Sequence, residues 1–351
     1  MADALDRYRA KRDFARTSEP SGEGAPATAH GDRFVVQEHH ATSMHWDLRL
    51  ERDGVLASWA VPKGIPADPR EDHLAVQTED HPLSYLDFHG VIPEGEYGGG
   101  AMVVWDQGRY ECHKWEDGEI MITLHGRRAE GLHVLFRTGE RQWMLHRMDP
   151  AQDPGRQLMP SDLRPVVATR GPLPDDEAAW SFEAAMGGAT VLVASQGGRA
   201  RVTGGDGRDV SSRFPELRPL GRALGAVSVI LEGELVVTGV DGRPDPDLLA
   251  RRSVATGEAA ARRLAARHPA MFLADDVVWL EGHPTGALGY AERRELMDAL
   301  DLSGPAWRTA PSHPGEGTAL LAASRAQGLA GVRGRRLAGG YEPKAVRFTP
   351  A

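Results

Sequence analysis

The chain has 351 residues, of which 41% are hydrophobic and 26% charged, and its formal net charge at pH 7 is −9. This acidity excludes a protein that coats long stretches of nucleic acid, although local basic residues can still grip one strand end. The single cysteine, Cys112, excludes an internal disulfide framework and a multi-cysteine zinc site, and we expect its thiol to be buried and inert. No apolar run approaches the roughly 20 residues of a membrane helix, and the N-terminus has no apolar signal region, so we predict a cytoplasmic protein without a membrane partner.

Short strands dominate the first 150 residues. Residues 3–15 are predicted to form a short helix, and residues 16–32, rich in Thr, Ser, Pro, Gly and Ala, a loop. From residue 34 onward apolar and polar residues alternate, which indicates strands separated by turns such as Asp53-Gly54. The predicted strands span residues 34–37, 44–51, 55–61, 74–78, 101–105, 119–124, 133–137 and 142–147. Strands of this length and spacing are typical of a small β-barrel or sandwich.

A change of composition marks a second part of the chain. Eleven of the 14 histidines precede residue 150, and residues 149–164 are rich in Pro, Asp and Gly. We therefore predict domains at residues 1–150 and 165–351, joined by a linker at 151–164. The second part has predicted strands at 190–195 and 227–237, helices at 247–267 and 290–300, and a hairpin turn at Asp241-Gly242. This mixture predicts an α+β domain.

The segment from His39 to Arg49 carries the chemistry. Alternate side chains of a strand share a face, so His45, Asp47 and Arg49 lie together, opposite an apolar face. Two histidines and a carboxylate are a common ligand set for a divalent transition metal, and His39, one short loop before the strand, could complete it with His45 and Asp47. The set does not choose between manganese and zinc. The planar guanidinium of Arg49 suits a phosphate.

A plainer interpretation of the same segment is a solvent-exposed strand face with an ordinary ion pair. Nearby ionisable residues favour a site instead, since Lys63 lies in a turn and His81 lies in a second polar cluster, residues 78–81. The run Gly95-Glu-Tyr-Gly-Gly-Gly100 could also approach a phosphate through backbone N–H groups, although such a run is more often a plain loop.

A specific family resemblance is carried by two segments, FVVQEHHATSMHWDLRLERDGVLASWAVPKG at residues 34–64 and LAVQTEDHPLSYLDFHGVIPEGEYGGG at residues 74–100. Together with Tyr8, residues 11–14 and residues 17–20, they resemble the 3′-phosphoesterase domain of bacterial DNA ligase D over residues 8–148. The resemblance implies a β-barrel enzyme of double-strand-break, non-homologous end joining. Such an enzyme uses manganese, or another divalent transition metal, to remove a terminal ribonucleoside and then a 3′-phosphate. DNA 3′ ends and other end-joining proteins are the implied partners.

The resemblance also implies a role for each matching position. The metal ligands correspond to His39, His45 and Asp47. Residues at the scissile phosphate correspond to Arg49 and His81, and an essential tyrosine corresponds to Tyr85. Further substrate-binding positions correspond to Gln37, Lys63 and Glu79, and N-terminal residues implicated in the ribonuclease step correspond to Arg12, Asp13 and Glu19.

The implied reaction has one departure from the family pattern, at His73, and one open question, the role of His81. His73 stands where the family tends to have Arg, so a phosphate contact is expected to be weaker or pH-dependent. Arg49 would offset charge on the phosphate, and His81 would either stabilise that charge or donate a proton to the leaving oxygen. The sequence leaves both roles of His81 open.

The second part resembles the adenylation domain of ATP-dependent DNA ligases, a nucleotidyltransferase fold, over residues 160–348. The similar segments are residues 180–190, 212–217, 231–236 and 290–294. Covalent adenylation needs a lysine nucleophile, and that position is Ala185. Gly187 and Thr190 replace the Asp and Arg of the same motif, Gly205 replaces an Arg, and Glu234 is retained. The motif near Gly331 reads Ala330-Gly-Val-Arg-Gly-Arg335 and lacks its acidic residue. We therefore predict no ATP adenylation and no ligase activity, although Lys344 could stand in for the lost lysine.

Two functions of different classes remain open at this point. The first is a 3′-end-healing phosphoesterase, and the alternative is a non-catalytic DNA-end-binding or scaffold protein of the same repair pathway. The complete set of site residues between His39 and Tyr85 favours the enzyme. The second part is either a decayed domain kept as a folding partner or a docking module for DNA ends or partner proteins.

Overall fold

The computed structural model describes residues 4–22, 31–93, 95–166, 168–341 and 346–349. The chain divides into two compact units, Met1–Arg156 and Gln157–Ala351. Residues 23–30 of the predicted 16–32 loop lie outside the described residues, as do residue 3 at the start of the predicted helix and Lys344. Among the described residues, every helix is too short or too polar to cross a membrane.

The first unit is built almost entirely from antiparallel strands. Its elements are the helix α1 (Asp6–Arg9), the strands β1 (Arg33–His40), β2 (His45–Arg52), β3 (Val55–Val61), β4 (Asp72–Gln77), β5 (Gly90–Ile92), β6 (Gly100–Glu116), β7 (Glu119–His125), β8 (Glu130–Arg137) and β9 (Gln142–Arg147), and a 3₁₀ helix at Leu83–Asp87. All eight predicted strands are present, and β5 was not predicted. The strand predicted at 101–105 is part of the much longer β6, which continues because it pairs with β1 and β7 although its later residues are mostly polar.

The strands of the first unit close into a barrel. Their order is β1-β2-β3-β4-β9-β8-β7-β6, and β6 pairs back with β1 to complete the circle. The register places one set of alternate side chains from all eight strands on the same side, including Leu48, Trp59, Ile122, Leu135 and Leu145, all at most 1% exposed. These side chains fill the barrel, as expected for a small closed sheet. The predicted β-barrel is therefore confirmed.

The predicted N-terminal helix is wrong over most of its length. The helix covers only Asp6–Arg9, and residues 13–17 form tight turns. Asp13 accepts a hydrogen bond from the backbone N–H of Ala15 through Oδ1 at 3.1 Å, a local bond that competes with helix formation. Arg12 turns inward to carboxylates from elsewhere in the unit, so its place is decided by long-range ion pairs.

The cysteine prediction is also wrong. Cys112 is exposed, not buried. It lies on the outer stretch of β6, where a bulge between Cys112 and Lys114 interrupts the pairing with β7. A bulge changes which side of a strand its residues face, and the sequence gives no sign of it.

The second unit mixes sheets and helices, which confirms the predicted α+β class. Its strands are β10 (Thr169–Arg170), β11 (Trp180–Ala185), β12 (Ala189–Gln196), β13 (Arg199–Thr203), β14 (Val229–Val237), β15 (Ala270–Leu280), β16 (His283–Pro284), β17 (Trp307–Thr309), β18 (His313–Pro314), β19 (Gly331–Arg336) and β20 (Val346–Phe348). Its helices are α2 (Arg218–Ala223), α3 (Pro246–Ser253), α4 (Glu258–Arg267), α5 (Tyr290–Asp298) and α6 (Gly317–Ala326). One sheet has the order β10-β20-β19-β11-β18 and the other β13-β12-β14-β15-β16.

The single helix predicted at residues 247–267 is two helices. The chain leaves the helical path between Ser253 and Glu258, where Gly257 has a φ of 82°. This backbone conformation is available to glycine and is incompatible with a continuous helix. The apolar faces of α2, α3 and α5 pack on the second sheet around buried residues such as Phe272 and Leu231.

Candidate metal and phosphate site

The pairing of the first two strands assembles the candidate ligands. In the β1–β2 register His39 lies opposite His45, Gln37 opposite Asp47, and Val35 opposite Arg49. These residues occupy the alternate positions whose side chains do not fill the barrel. They lie on the outer face of the sheet, where other parts of the first unit cover most of them. His39 lies one short loop before β2, as predicted, but the strand predicted at residues 34–37 is too short, because β1 extends to residue 40 by pairing with both β2 and β6.

His39, His45 and Asp47 form a group that could hold a metal ion, with their ligand atoms within 4.8 Å of one another. His39 Nδ1 and His45 Nε2 lie 3.5 and 3.7 Å from oxygens of Asp47. The second nitrogen of each ring meets a backbone carbonyl, His39 Nε2 at Gly98 (2.8 Å) and His45 Nδ1 at Ser43 (2.9 Å). Each carbonyl fixes the ring proton on that second nitrogen, which leaves the nitrogen facing Asp47 with a free lone pair.

The residues of the group fit a divalent cation. His39 Nδ1 is buried and has no hydrogen-bond partner among the described residues, a cost that a bound cation would remove. Asp47 is 4% exposed. Burial alone would raise the pKa of the Asp47 carboxyl, but the adjacent charge of Arg49 opposes it, and that pKa lies well below its usual range. Asp47 is therefore an anion in the pH range of a cell, as a metal ligand must be.

Arg49 is held rigidly beside the ligands. It donates from Nη2 to Asp47 Oδ2 (3.0 Å), from Nη1 to Ser58 Oγ (3.0 Å) and from Nε to Gln37 Oε1 (2.7 Å), and it is 2% exposed. Its guanidinium carbon lies 4.7 Å from the centre of the Tyr85 ring. Each Nη nitrogen carries a second N–H with no protein acceptor among the described residues. The guanidinium is therefore positioned to donate to an anion.

A second group of charged side chains lies between the barrel and residues 11–19, which we call the N-terminal segment. Arg12 donates to Glu19 Oε1 (2.7 Å) and Glu79 Oε1 (3.1 Å). The Tyr85 hydroxyl donates to Glu19 Oε1 at 2.5 Å. Burial, together with the Glu19 carboxylate, raises the pKa of Tyr85 although Arg49 opposes it, so the phenol keeps its proton. The N-terminal segment is thereby bound to Glu79 and to Tyr85, which both line the candidate site.

His81 is neutral in this arrangement. Burial and then the charges of Arg49 and Arg12 lower the pKa of His81 well below its ordinary value. His81 Nδ1 lies 2.8 Å from the carbonyl oxygen of Glu79, and Arg12 Nη2 lies 3.3 Å from His81 Nε2. Since Arg12 can only donate, Nε2 is the acceptor and Nδ1 carries the proton.

A cavity of about 230 Å³ brings most of the predicted residues together. Those that line it are Arg12, Glu19, His39, His45, Asp47, Arg49, Glu79, His81 and Tyr85. Asp13, Gln37, Lys63 and His73 lie outside the lining. Gln37 is fully buried, and its amide nitrogen donates to the carbonyls of Tyr85 (3.1 Å) and Phe88 (2.7 Å), so it holds the site from behind.

His73 supports the turn that carries Lys63. Its Nδ1 donates to the carbonyl of Gly64 at 2.7 Å, whereas Lys63 itself is exposed. Burial lowers the pKa of His73, and its Nε2 is buried without a hydrogen-bond partner among the described residues. The ring is therefore neutral and faces the protein. The predicted substrate contacts of His73 and Lys63 stay predictions.

Ser58, Tyr97 and Gly98 are among the residues of the site that were not assigned a role from the sequence. Ser58 binds Arg49, Gly98 binds His39, and Tyr97 lines the cavity. Ser58 is a polar residue at an alternating position of an otherwise apolar strand, which is a usable signal. Gly98 has a φ of 76°, a conformation that favours glycine at this place beside His39. The contact of its backbone N–H with a phosphate stays a prediction.

The second unit contains a network of buried charges and, at Ala185, the position that we predict to have lost a lysine. Ala185 is 4% exposed. The retained carboxylate, Glu234, accepts backbone N–H groups of Met186 (2.9 Å) and Gly188 (2.5 Å), so it holds the loop after Ala185. Arg335 lies near four carboxylates: Glu232 (3.1 Å), Asp275 (2.9 Å), Asp276 (3.3 Å) and Glu183 (3.5 Å).

Comparisons with known proteins identify the relatives of this chain. Residues 37–137 match the family model of the DNA Ligase D 3′-phosphoesterase domain. The Multifunctional non-homologous end joining DNA repair protein LigD of Mycobacterium tuberculosis (strain CDC 1551 / Oshkosh) is 39% identical over 350 residues, which cover 98% of this chain and 44% of that protein. The LigD protein of Pseudomonas aeruginosa is 32% identical over 395 residues, covering 97% of this chain and 46% of that protein.

A solved structure of mycobacterial DNA ligase D complexed with ATP and MES aligns with 55% of this chain and 62% of its own chain, at 28% identity and a TM-score of 0.47. The chain spans less than half the length of the LigD proteins that it matches. The resemblance of its first part to the 3′-phosphoesterase domain is confirmed.

We predict that the full chain binds one Mn²⁺ ion through the His39, His45 and Asp47 group, because its lone pairs converge and its carboxylate is ionised. Replacing either histidine by Ala should weaken the Kd measured by isothermal titration calorimetry at least about 100-fold, since even supporting residues cost 10- to 100-fold. His113→Ala, an exposed histidine on β6, is the matched control. Equal Mn²⁺ affinity in all variants would contradict the assignment.

The stability of the second unit should fall as pH rises toward neutrality. Burial raises the pKa of Glu183 to about 7, although Arg335 opposes it. The folded state thus binds this proton more tightly than the unfolded chain does. The resulting stabilisation is fully present below the unfolded pKa of about 4.3 and is lost as pH rises through about 7.

Urea unfolding of the full chain between pH 5 and 8, followed through the transition of the second unit, measures this loss. Glu183→Gln should flatten the pH dependence, whereas Glu295→Gln, at an exposed position, should leave it as in the natural chain. An unchanged slope in Glu183→Gln would show that the proton is held elsewhere.

Proposed function

We propose, since residues 37–137 belong to the DNA ligase D 3′-phosphoesterase domain family, that this chain heals 3′ ends of DNA in non-homologous end joining. The reaction is manganese-dependent removal of a 3′-phosphate, preceded on RNA-tailed ends by removal of the terminal ribonucleoside. The observation that carries the proposal is the convergence of His39, His45 and Asp47 next to the immobilised, buried guanidinium of Arg49.

The three ligands would hold the cation and Arg49 would hold the phosphate. A divalent cation supplies Lewis acidity at the phosphate and makes water a better nucleophile. Arg49 offers its remaining N–H groups to the non-bridging oxygens, where negative charge increases in the transition state. Because Gln37, Ser58 and Asp47 fix its guanidinium before substrate arrives, little reorganisation is needed.

His81 and Arg12 act as a coupled pair in this proposal. An anionic phosphate beside His81 favours the imidazolium and draws Arg12 from Nε2 to its own oxygens. His81 then carries a proton for the leaving 3′ oxygen, so it becomes a proton donor only once substrate is present. Hydrolysis breaks the phosphorus–oxygen bond to the strand, leaving a 3′-hydroxyl and inorganic phosphate.

The N-terminal segment covers the site on the side where the 3′ end of the DNA would bind. Arg12, Glu19 and Glu79 line the cavity and hold one another, so we assign them to binding the terminal nucleoside during the ribonuclease step. Asp13 stabilises the turn between Arg12 and Glu19. We retain domains at residues 1–150 and 165–351, with the linker between them, as part of this proposal.

We further propose that the second unit has no ligase activity. Ala185 has no amine to attack ATP. Arg335 is surrounded by carboxylates of the chain itself, and burying such a charge is favourable only while those partners remain. A folding partner or a docking module for DNA ends remains as the function of this unit.

The phosphoesterase proposal predicts that the purified chain converts a DNA primer with a 3′-phosphate to a 3′-hydroxyl when Mn²⁺ is added, and trims a primer with one terminal ribonucleotide. Arg49→Ala should lower kcat about 100- to 1,000-fold, as for loss of a transition-state donor. Arg52→Ala, three residues along the same strand but outside the cavity lining, is the matched control. If the chain and His45→Ala both leave both ends intact, the non-catalytic end-binding alternative replaces the enzyme.

The proposal for the second unit predicts that the chain neither seals nicked duplex DNA nor becomes labelled by α-³²P-ATP in the presence of Mg²⁺ or Mn²⁺. An active ATP-dependent ligase in the same assay provides the positive control. A labelled protein band that survives denaturing gel electrophoresis and releases its label in acid, as a lysine phosphoramidate does, would contradict the assignment of Ala185 as the lost nucleophile.

A further inference from the structure

An exposed aromatic ring stands at the wall of the metal and phosphate cavity. Tyr97 is 47% exposed and lines the same cavity as the candidate metal ligands. Tyr8 and Tyr85, which pack around His81 under the N-terminal segment, are at most 1% exposed. The ring of Tyr97 therefore contributes little to the core and is available to a molecule in the cavity.

The loop that carries Tyr97 is fixed to a candidate metal ligand. The carbonyl of the next residue, Gly98, accepts the hydrogen bond from His39 Nε2 at 2.8 Å. Glu96, the preceding residue, pairs with Arg16 at 3.0 Å, and the Tyr97 hydroxyl accepts from Lys11 Nζ at 3.1 Å. The ring thus has a defined position relative to His39.

Two cations lie beside the same ring. Lys11 Nζ is 4.5 Å, and the guanidinium carbon of Arg12 is 5.5 Å, from the ring centre of Tyr97. Both side chains belong to the N-terminal segment, and Lys11 is partly exposed. An aromatic ring supported by cations is the combination with which proteins stack the bases of single-stranded nucleic acid.

We propose that Tyr97 is the platform on which the terminal nucleobase stacks when its 3′-phosphate occupies the cavity beside His39. This inference rests on the proposed function and names a determinant of its substrate. Every base presents a flat aromatic face, so the platform selects for the presence of a base and tolerates its identity. An end that has lost its base, a common product of oxidative damage, is bound poorly.

Equilibrium binding without added metal tests stacking on Tyr97 independently of phosphate hydrolysis. The full chain, without added metal, is titrated against two fluorescent primers with a 3′-phosphate, one ending in a normal nucleotide and one in an abasic residue, and anisotropy gives each Kd. The natural chain should bind the base-ended primer roughly 5- to 100-fold more tightly, the range expected for stacking one base. Tyr97→Ala should bring the ratio of the two Kd values to about one, and Tyr97→Phe, which keeps the ring, should preserve it.

Phe136→Ala is the matched control, because Phe136 is also an exposed aromatic of the first unit, 37% exposed, and lies outside the cavity lining. The ratio should stay unchanged in this variant. The far-UV circular dichroism of Tyr97→Ala should match that of the natural chain, so that loss of the ratio reports the ring and not the fold.

The possible outcomes distinguish this proposal from the proposed function. Mn²⁺-dependent healing with a Kd ratio that Tyr97→Ala leaves intact would overturn the platform alone. A ratio that depends on Tyr97, without any healing by the natural chain, would support the platform as an end-binding element and overturn the phosphoesterase function. Equal affinity of the natural chain for both primers would overturn the platform whether or not the ends are healed.

Discussion

The buried ion pair between Asp47 and Arg49 is the interaction on which the candidate site depends. Both residues come from one strand, two positions apart, and both are almost completely buried. Burying either charge alone would cost several kcal/mol, so each is tolerated because the other is present, and because Gln37 and Ser58 complete the hydrogen bonds of Arg49. In the proposed function, the pair keeps the Asp47 carboxylate ionised for a cation and holds the Arg49 guanidinium in position for a phosphate. The side chains on the opposite face of the same strand fill the barrel. The polar residues of the candidate site therefore take no place in the barrel core.

A second consequence of burying charge is the closure of the site by the N-terminal segment. Glu19 and Glu79 approach a region that already contains Asp47, and their negative charge is balanced by Arg12 and Lys11. The short segment from Lys11 to Glu19 has little regular structure to hold it in place. Ion pairs and the Tyr85 hydroxyl attach it to the barrel, together with the packing of Phe14 on the core. The ion pairs can be exchanged for a phosphate, which is the step that the proposed reaction requires of Arg12 and His81.

The sequence was sufficient wherever a local period decides the structure. The alternation from Met44 to Leu50 predicts which side chains share a face, since the period of two is a property of the extended backbone. Features that depend on distant partners were missed: the extension of β1 to His39, the inward turn of Arg12, and the bulge beside Cys112. The positions of Arg12 and Glu19 in the site came from the family resemblance, because no local pattern links residues 12–19 to residue 79.

The second unit also buries charged side chains as ion pairs, and there they stabilise the fold. Its acidic residues Glu232, Asp275 and Asp276 surround Arg335, and we propose that Ala185 stands where a lysine would react with ATP. The central claim nevertheless concerns the first unit, and pulsed electron paramagnetic resonance of the Mn²⁺-loaded chain tests it most directly. The account predicts hyperfine coupling from two imidazole nitrogens, one of which disappears in His39→Ala and the other in His45→Ala. A bound Mn²⁺ without imidazole coupling, or with coupling that survives both substitutions, would contradict it.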